Sequence, residues 1–188
     1  GRDEHVIKEN IDRAKLAGSK YHNLMIWAKH ADGHIVTNEE IVESYLRTYD
    51  YGQSKGLTIS YESHVDMWSE DFRRVTQVAE LVRKRGIPFN HCMDYSHNIF
   101  KIENELEHAV SQIRGDKEAI RKLDPFNDDS FADESLQQNM AVWTQVRPAA
   151  PNGPRNWWAG EGGPFENLGY DRPGRSIHYP FSRPKPGE

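Results

Sequence analysis

Apolar residues recur at helical spacing in four stretches and crowd into short runs in four others, and the two patterns alternate along the chain. Over residues 4–17, Val6, Ile7, Ile11 and Ala14 fall on one stripe and Gly18 offers a stop, which predicts a helix. Residues 22–28 (HNLMIWA) are a short apolar run with polar flanks, the pattern of a buried strand. A loop over 29–36 follows. Thr37 and Glu40 then have capping-box spacing, and Ile41, Val42, Tyr45 and Tyr49 continue as a helix that Gly56 ends. Residues 57–63 (LTISYES) predict a second strand. Ser69 is the expected N-cap of a third helix, whose apolar face is Phe72, Val75, Ala79 and Val82 and whose last turn carries Arg83, Lys84 and Arg85 before Gly86. Residues 88–93 predict a third strand and residues 101–113 a fourth helix.

Helices alternating with strands in this way are the signature of parallel strands with covering helices and right-handed crossovers. Periodicity leaves open whether such a sheet closes into a barrel. The last third changes character. Residues 116–138 are polar and acidic and predict a short helix and a loop, and residues 140–146 (MAVWTQV) a fourth strand. Residues 147–188 are rich in Pro, Gly and Arg, as in a long functional loop or a disordered segment, but Trp157, Trp158 and other aromatics predict that part of it packs.

Composition narrows the function classes. At 188 residues the chain suits one domain. A net charge of −5 with interspersed signs and no basic stripe argues against a nucleic-acid partner. No apolar run reaches membrane-spanning length, and the first residues lack a signal-peptide core. The single cysteine, Cys92, rules out an intrachain disulfide framework and fits the cytoplasm, and its place within a strand reads as a buried, inert thiol. Nine histidines invite a search for metal or acid–base sites.

That search leads to two strand ends. The second predicted strand runs into Glu62-Ser63-His64-Val65-Asp66, where period-two alternation sets Glu62, His64 and Asp66 on one side. The third ends in Asp94-Tyr95-Ser96-His97. Both lie at the C-terminal ends of predicted parallel strands, the edge where α/β sheets and barrels bind ligands. Carboxylate with imidazole suits Mn²⁺, Co²⁺, Fe²⁺ or Zn²⁺, and a carboxylate-rich shell admits Mg²⁺. Trp27 and Trp68 lie near the same edge; Trp68 offers a ring to a sugar, whereas core packing is expected of Trp27. His30 and His34 follow the first strand and read as solvated loop residues able to line a pocket.

Glu62, a helix, and then a strand ending in Asp94-x-x-His97 resemble the xylose isomerase-like TIM-barrel superfamily of sugar phosphate isomerases and epimerases, over roughly residues 4–150. The resemblance implies an α/β fold of (β/α) barrel type in residues 1–147, with residues 148–188 as an irregular segment packed on it. It implies a divalent-metal-dependent isomerase or epimerase acting on a sugar or polyol. The ion would be Mn²⁺ first, with Mg²⁺, Co²⁺ or Zn²⁺ also fitting. Glu62 and Asp94 would be its ligands and Glu62 also the base. His97, with His64 and Trp68, would face the substrate. The family carries His-x-Arg on a later strand where this chain has Gln145-Val146-Arg147. Arg147 matches as a substrate grip, while Gln145 replaces an imidazole with an amide whose oxygen can ligate a hard cation. The family's final Glu has no counterpart, and four predicted strands fall short of eight. An incomplete or shortened barrel is therefore expected, completed by a homo- or hetero-oligomeric partner. A lyase on the same scaffold and a non-catalytic fragment are the alternatives.

Overall fold

The structure is a computed structural model that describes residues 4–146 and residue 151. The described residues fall into two compact units, residues 4–94 with residues 134–145, and residues 95–133 with residues 146 and 151.

In the first unit four parallel strands, β1 (Tyr21–Leu24), β2 (Thr58–Glu62), β3 (His91–Asp94) and β4 (Ala141–Gln145), form one sheet in the order β1-β2-β3-β4. Strand order never reverses within it. The helices α1 (Glu4–Leu16), α2 (Asn38–Lys55) and α3 (Phe72–Arg83) accompany the strands, with α2 packed on β2 and on α3. The α/β character and the parallel sheet follow the sequence pattern; a four-stranded sheet is what the described residues contain.

The two faces of this sheet differ. Ile59 and Tyr61 of β2 meet α2: the Tyr61 hydroxyl is hydrogen-bonded to Ser44 at 2.9 Å, and its ring stands edge-on to Tyr45 at 5.1 Å. Tyr45 is fully buried; its hydroxyl donates to the Pro88 carbonyl at 2.9 Å and accepts from the Asn90 N–H at 2.7 Å, fixing the approach to β3. The residues between them in the pleat, Ser60 and Glu62, face the opposite way with Asn23, Cys92, Trp143 and Gln145, to which they are linked below.

Gly52 marks the closest approach of α2 to β2. A Cβ there would fall inside the contact distance of Ile59 Cγ1 and 2.7 Å from its Cδ1. An alanine in a helix ordinarily gains about 0.5–1 kcal/mol over glycine, but overpacking a fixed core costs about 1–3 kcal/mol, and Ile59 has no room to yield. Gly52→Ala is therefore expected to destabilise the protein by roughly 1–2 kcal/mol in urea unfolding; a stabilised variant would refute this packing account.

Several expected boundaries move, each for a local reason. The first strand covers only Tyr21–Leu24; residues 25–36 form a loop held by isolated bridges Trp27↔Met67 and Lys29↔Ile35. Trp27 is 44% exposed and so is not a core residue. Ser69 does not cap the third helix. It lies in a 3₁₀ turn, Trp68–Glu70, where its hydroxyl donates to the Glu62 carbonyl at 2.7 Å, and Asp71 caps α3 through the Arg73 N–H. The β2 strand stops at Glu62, and Asp66 takes a left-handed φ of 64°, so strict alternation does not extend to Asp66. Thr37 and Glu40 form the expected capping box.

The second unit contributes short helices. A separate short helix, α4 (Ser96–Ile99), comes first, and the helix expected over 101–113 is shorter, α5 (Glu105–Val110): Glu103 takes a φ of 59° and Asn104 then starts the helix by accepting from the Glu107 N–H. Residues 116–138 contain two helices rather than one, α6 (Lys117–Arg121) and α7 (Phe131–Gln137), the latter starting in the second unit and ending in the first. Phe100, Leu123 and Phe131 are fully buried, and the Tyr95 hydroxyl donates to the Lys122 carbonyl at 3.1 Å. Arg147 and the proposed segment 148–188 lie outside the described residues, residue 151 excepted. No described helix is long and apolar enough to cross a membrane.

Candidate metal centre

Glu62 ends β2 with its side chain buried, and that carboxylate is held from both sides. The Asn23 amide nitrogen of β1 donates to Oε2, and the Gln145 amide nitrogen of β4 donates to Oε1 at 3.2 Å. One turn of the pleat below, the Trp143 indole N–H donates to Ser60 Oγ at 2.8 Å and Ser60 donates to Asn23 Oδ1 at 3.4 Å. Side chains from β1, β2 and β4 thus interlock on one face, with the Cys92 sulfur of β3 3.7 Å from the same Gln145 nitrogen. An ionised carboxylate only accepts hydrogen bonds, so two amide donors orient it without neutralising it.

His64 comes two residues later, beyond the strand, and is buried. Its Nδ1 lies 2.8 Å from the Val65 carbonyl. A carbonyl accepts only, so Nδ1 carries a proton, and in the neutral ring Nε2 is then the nitrogen able to ligate a metal. Metal-capable atoms of Glu62 and His64 lie within 4.8 Å of one another. The local fold supports this: Ser69 Oγ accepts from the His64 N–H at 3.3 Å while donating to the Glu62 carbonyl, tying the chain reversal together.

Asp94 ends β3, is fully buried, and pairs with Gln145 in the sheet register. It is two residues from Cys92 and so shares its face of the sheet. Among the described residues, no group of three or more clustered metal-capable side chains includes Asp94. His97 stands on α4 of the second unit and is buried. Trp68 is buried rather than presented at a surface, with the Arg74 guanidinium 6.0 Å from its ring. Gln145 meets Glu62 through its nitrogen, so ligation through its oxygen requires the amide to turn over.

Asn23, Ser60 and Trp143 were not singled out in the sequence. The signal for two of them was there: Ser60 and Trp143 each precede a candidate residue by two positions in a strand, the spacing that shares a face. His91 was passed over as one more strand residue. It is fully buried on the helix-facing side, its Nε2 is 2.6 Å from Ser63 Oγ, and burial pushes its pKa down to about 3.

A second group gathers His30, Asp32 and His34 in the loop after β1. The loop histidines are partly exposed, and hydrogen bonds donated by the His34 ring to Glu40 and Asp32 raise its pKa. Comparison with family models, curated proteins and solved structures returns no match for this chain.

Proposed function

We propose that the chain carries the metal-binding edge of a divalent-metal-dependent isomerase or epimerase acting on a sugar or related polyol. The buried Glu62–His64 pair at the C-terminal edge of a parallel sheet is the observation that carries this proposal. A TIM-type barrel is favoured by strands in unreversed order and by the two bonds that pass over β3, Trp143 to Ser60 and Gln145 to Glu62. Strands two apart in a flat sheet stand about 9.5 Å from each other, and contacts between Trp143 and Ser60 and between Gln145 and Glu62 across that gap suit a concave face like a barrel interior.

The donor set fits a divalent ion: a buried carboxylate, an imidazole able to ligate through Nε2, and Asp94 as a second carboxylate at the neighbouring strand end. Mn²⁺ suits this mixture best, with Mg²⁺, Co²⁺ and Zn²⁺ as alternatives. Such an ion supplies Lewis acidity to a substrate carbonyl and its neighbouring hydroxyl. Glu62 takes the proton from the carbon next to that carbonyl. Return of that proton by Glu62 to the adjacent carbon would give an isomer, whereas an epimer would need a second proton donor on the opposite face. The Asn23 and Gln145 amides keep the carboxylate aimed. Arg147 is assigned to substrate oxygens, as the resemblance implies. A partner chain, identical or not, would complete the barrel.

Metal loading tests the assignment. Full-length protein incubated with Mn²⁺ is expected to retain the ion, and Glu62→Gln and Asp94→Asn are each expected to weaken retention at least 10–100-fold, the range found even for groups that only support a ligand. Unchanged Mn²⁺ content in both variants would sink the proposal. Metal retention without solvent exchange of any sugar proton would favour the non-catalytic alternative, to which Gln145 in place of an imidazole also points.

A further inference from the structure

We propose a second metal site, for a Zn²⁺-like ion, in the loop after β1, formed by His30, Asp32 and His34 with Glu40 behind it. The backbone sets the two histidines side by side. The His30 N–H donates to the His34 carbonyl at 2.9 Å, the Gly33 N–H donates to the His30 carbonyl at 2.9 Å, and Gly33 takes a φ of 95° to close the turn. Below it the Val36 N–H donates to the Ala28 carbonyl at 3.0 Å. The imidazole rings therefore stack, with centroids 4.8 Å apart and planes inclined by 24°.

Asp32 lies between them. Its Oδ1 is 3.3 Å from His30 Nδ1 and 2.6 Å from His34 Nδ1. Ligand atoms bound tetrahedrally to zinc at about 2.0–2.1 Å stand about 3.3 Å apart. The first distance already meets that spacing, and the second needs to open by less than an ångström. Glu40 supplies what a ligating histidine requires. Its carboxylate oxygens lie 2.9 and 3.1 Å from His34 Nε2, which donates to them; Nδ1 donates in turn to Asp32, and an ion would take the place of that Nδ1 proton. Carboxylate, histidine and metal in a row is the arrangement that fixes ring orientation and raises ligand basicity. Two imidazoles and one carboxylate select borderline ions such as Zn²⁺, Ni²⁺ or Co²⁺ over Mg²⁺ or Ca²⁺. His30 and Glu40 also border a surface cavity of about 460 Å³.

This site shares no residue with the Glu62 centre, and the experiment separates the two. Full-length protein is dialysed against Zn²⁺ and its bound zinc counted. Wild type is expected to bind one ion more than His30→Ala/His34→Ala, while Glu62→Gln/Asp94→Asn keeps that ion. Both loop histidines are partly exposed, and the single variant His30→Ala, which leaves the His34–Glu40 contact in place, is expected to bind zinc at least 10-fold more weakly. Glu40→Gln preserves the capping pattern and is expected to bind 10–100-fold more weakly at unchanged stoichiometry. Equal zinc content and affinity in wild type and both histidine variants would overturn the site.

Discussion

Lowering the pH from 6.5 to 3 is expected to remove roughly 4–5 kcal/mol of folding stability through His91 alone. Inside the fold this imidazole is fully buried on the helix-facing side of the sheet, and its pKa is pushed down to about 3 because desolvation penalises its charged form. In the unfolded chain it returns to about 6.5. Between those values the unfolded state binds the extra proton, so stability rises with pH across that window. The contribution is complete above about 6.5 and gone below about 3. Urea unfolding of wild type and His91→Asn at several pH values reads the effect as a difference in slope, which is insensitive to packing lost in the variant. Parallel curves for the two proteins between pH 4 and 6.5 would refute it. His22 is displaced in the same direction by partial burial and contributes to the acid sensitivity that remains in the variant.

Replacing Glu62 with glutamine is expected to slow proton exchange at the substrate carbon about 10²–10⁴-fold, the usual worth of a positioned general base. Glutamine keeps the size but offers one acceptor oxygen in place of two, so one of the Asn23 and Gln145 contacts can persist and the other requires its partner amide to turn over, while the base is lost. The loss should fall on kcat more than on KM, measured as deuterium incorporation from solvent into a panel of keto and aldehyde sugars. Rates within threefold of wild type would remove Glu62 as the base while leaving it as a metal ligand. Asp94→Asn serves as the contrast: it is expected to weaken metal retention, with its rate recovering at saturating Mn²⁺.

Much of the fold was legible because its determinants are local. The Thr37–Glu40 cap, the stripe of Phe72, Val75, Ala79 and Val82, and the short apolar runs each specify their element through neighbours a few residues away. What escaped depended on backbone angles or distant partners. Nothing in the periodicity of residues 101–113 reveals that Glu103 adopts a left-handed φ, and Ser69 looks like a cap until the Glu62 carbonyl is placed beside it. The site divides the same way. Glu62 and Asp94 could be found as carboxylates at strand ends. Which nitrogen of His64 is able to ligate depends on the Val65 carbonyl, and the roles of Asn23 and Trp143 depend on strands meeting across the sheet.

The grip on Glu62 also sets when the site comes into being. Its two amide partners are 39 residues away on one side and 83 on the other. Closing the longer loop costs about 0.6 kcal/mol more than closing the shorter one, and neither closure is repaid until non-local strand pairing is complete. The helices of the first unit can form from nearby residues, whereas the oriented carboxylate exists only once β4 has joined the sheet. Any ion that Glu62 takes up would thus be a clock for the completion of the whole first unit, and during synthesis the ribosome must deliver Gln145 before that clock can start.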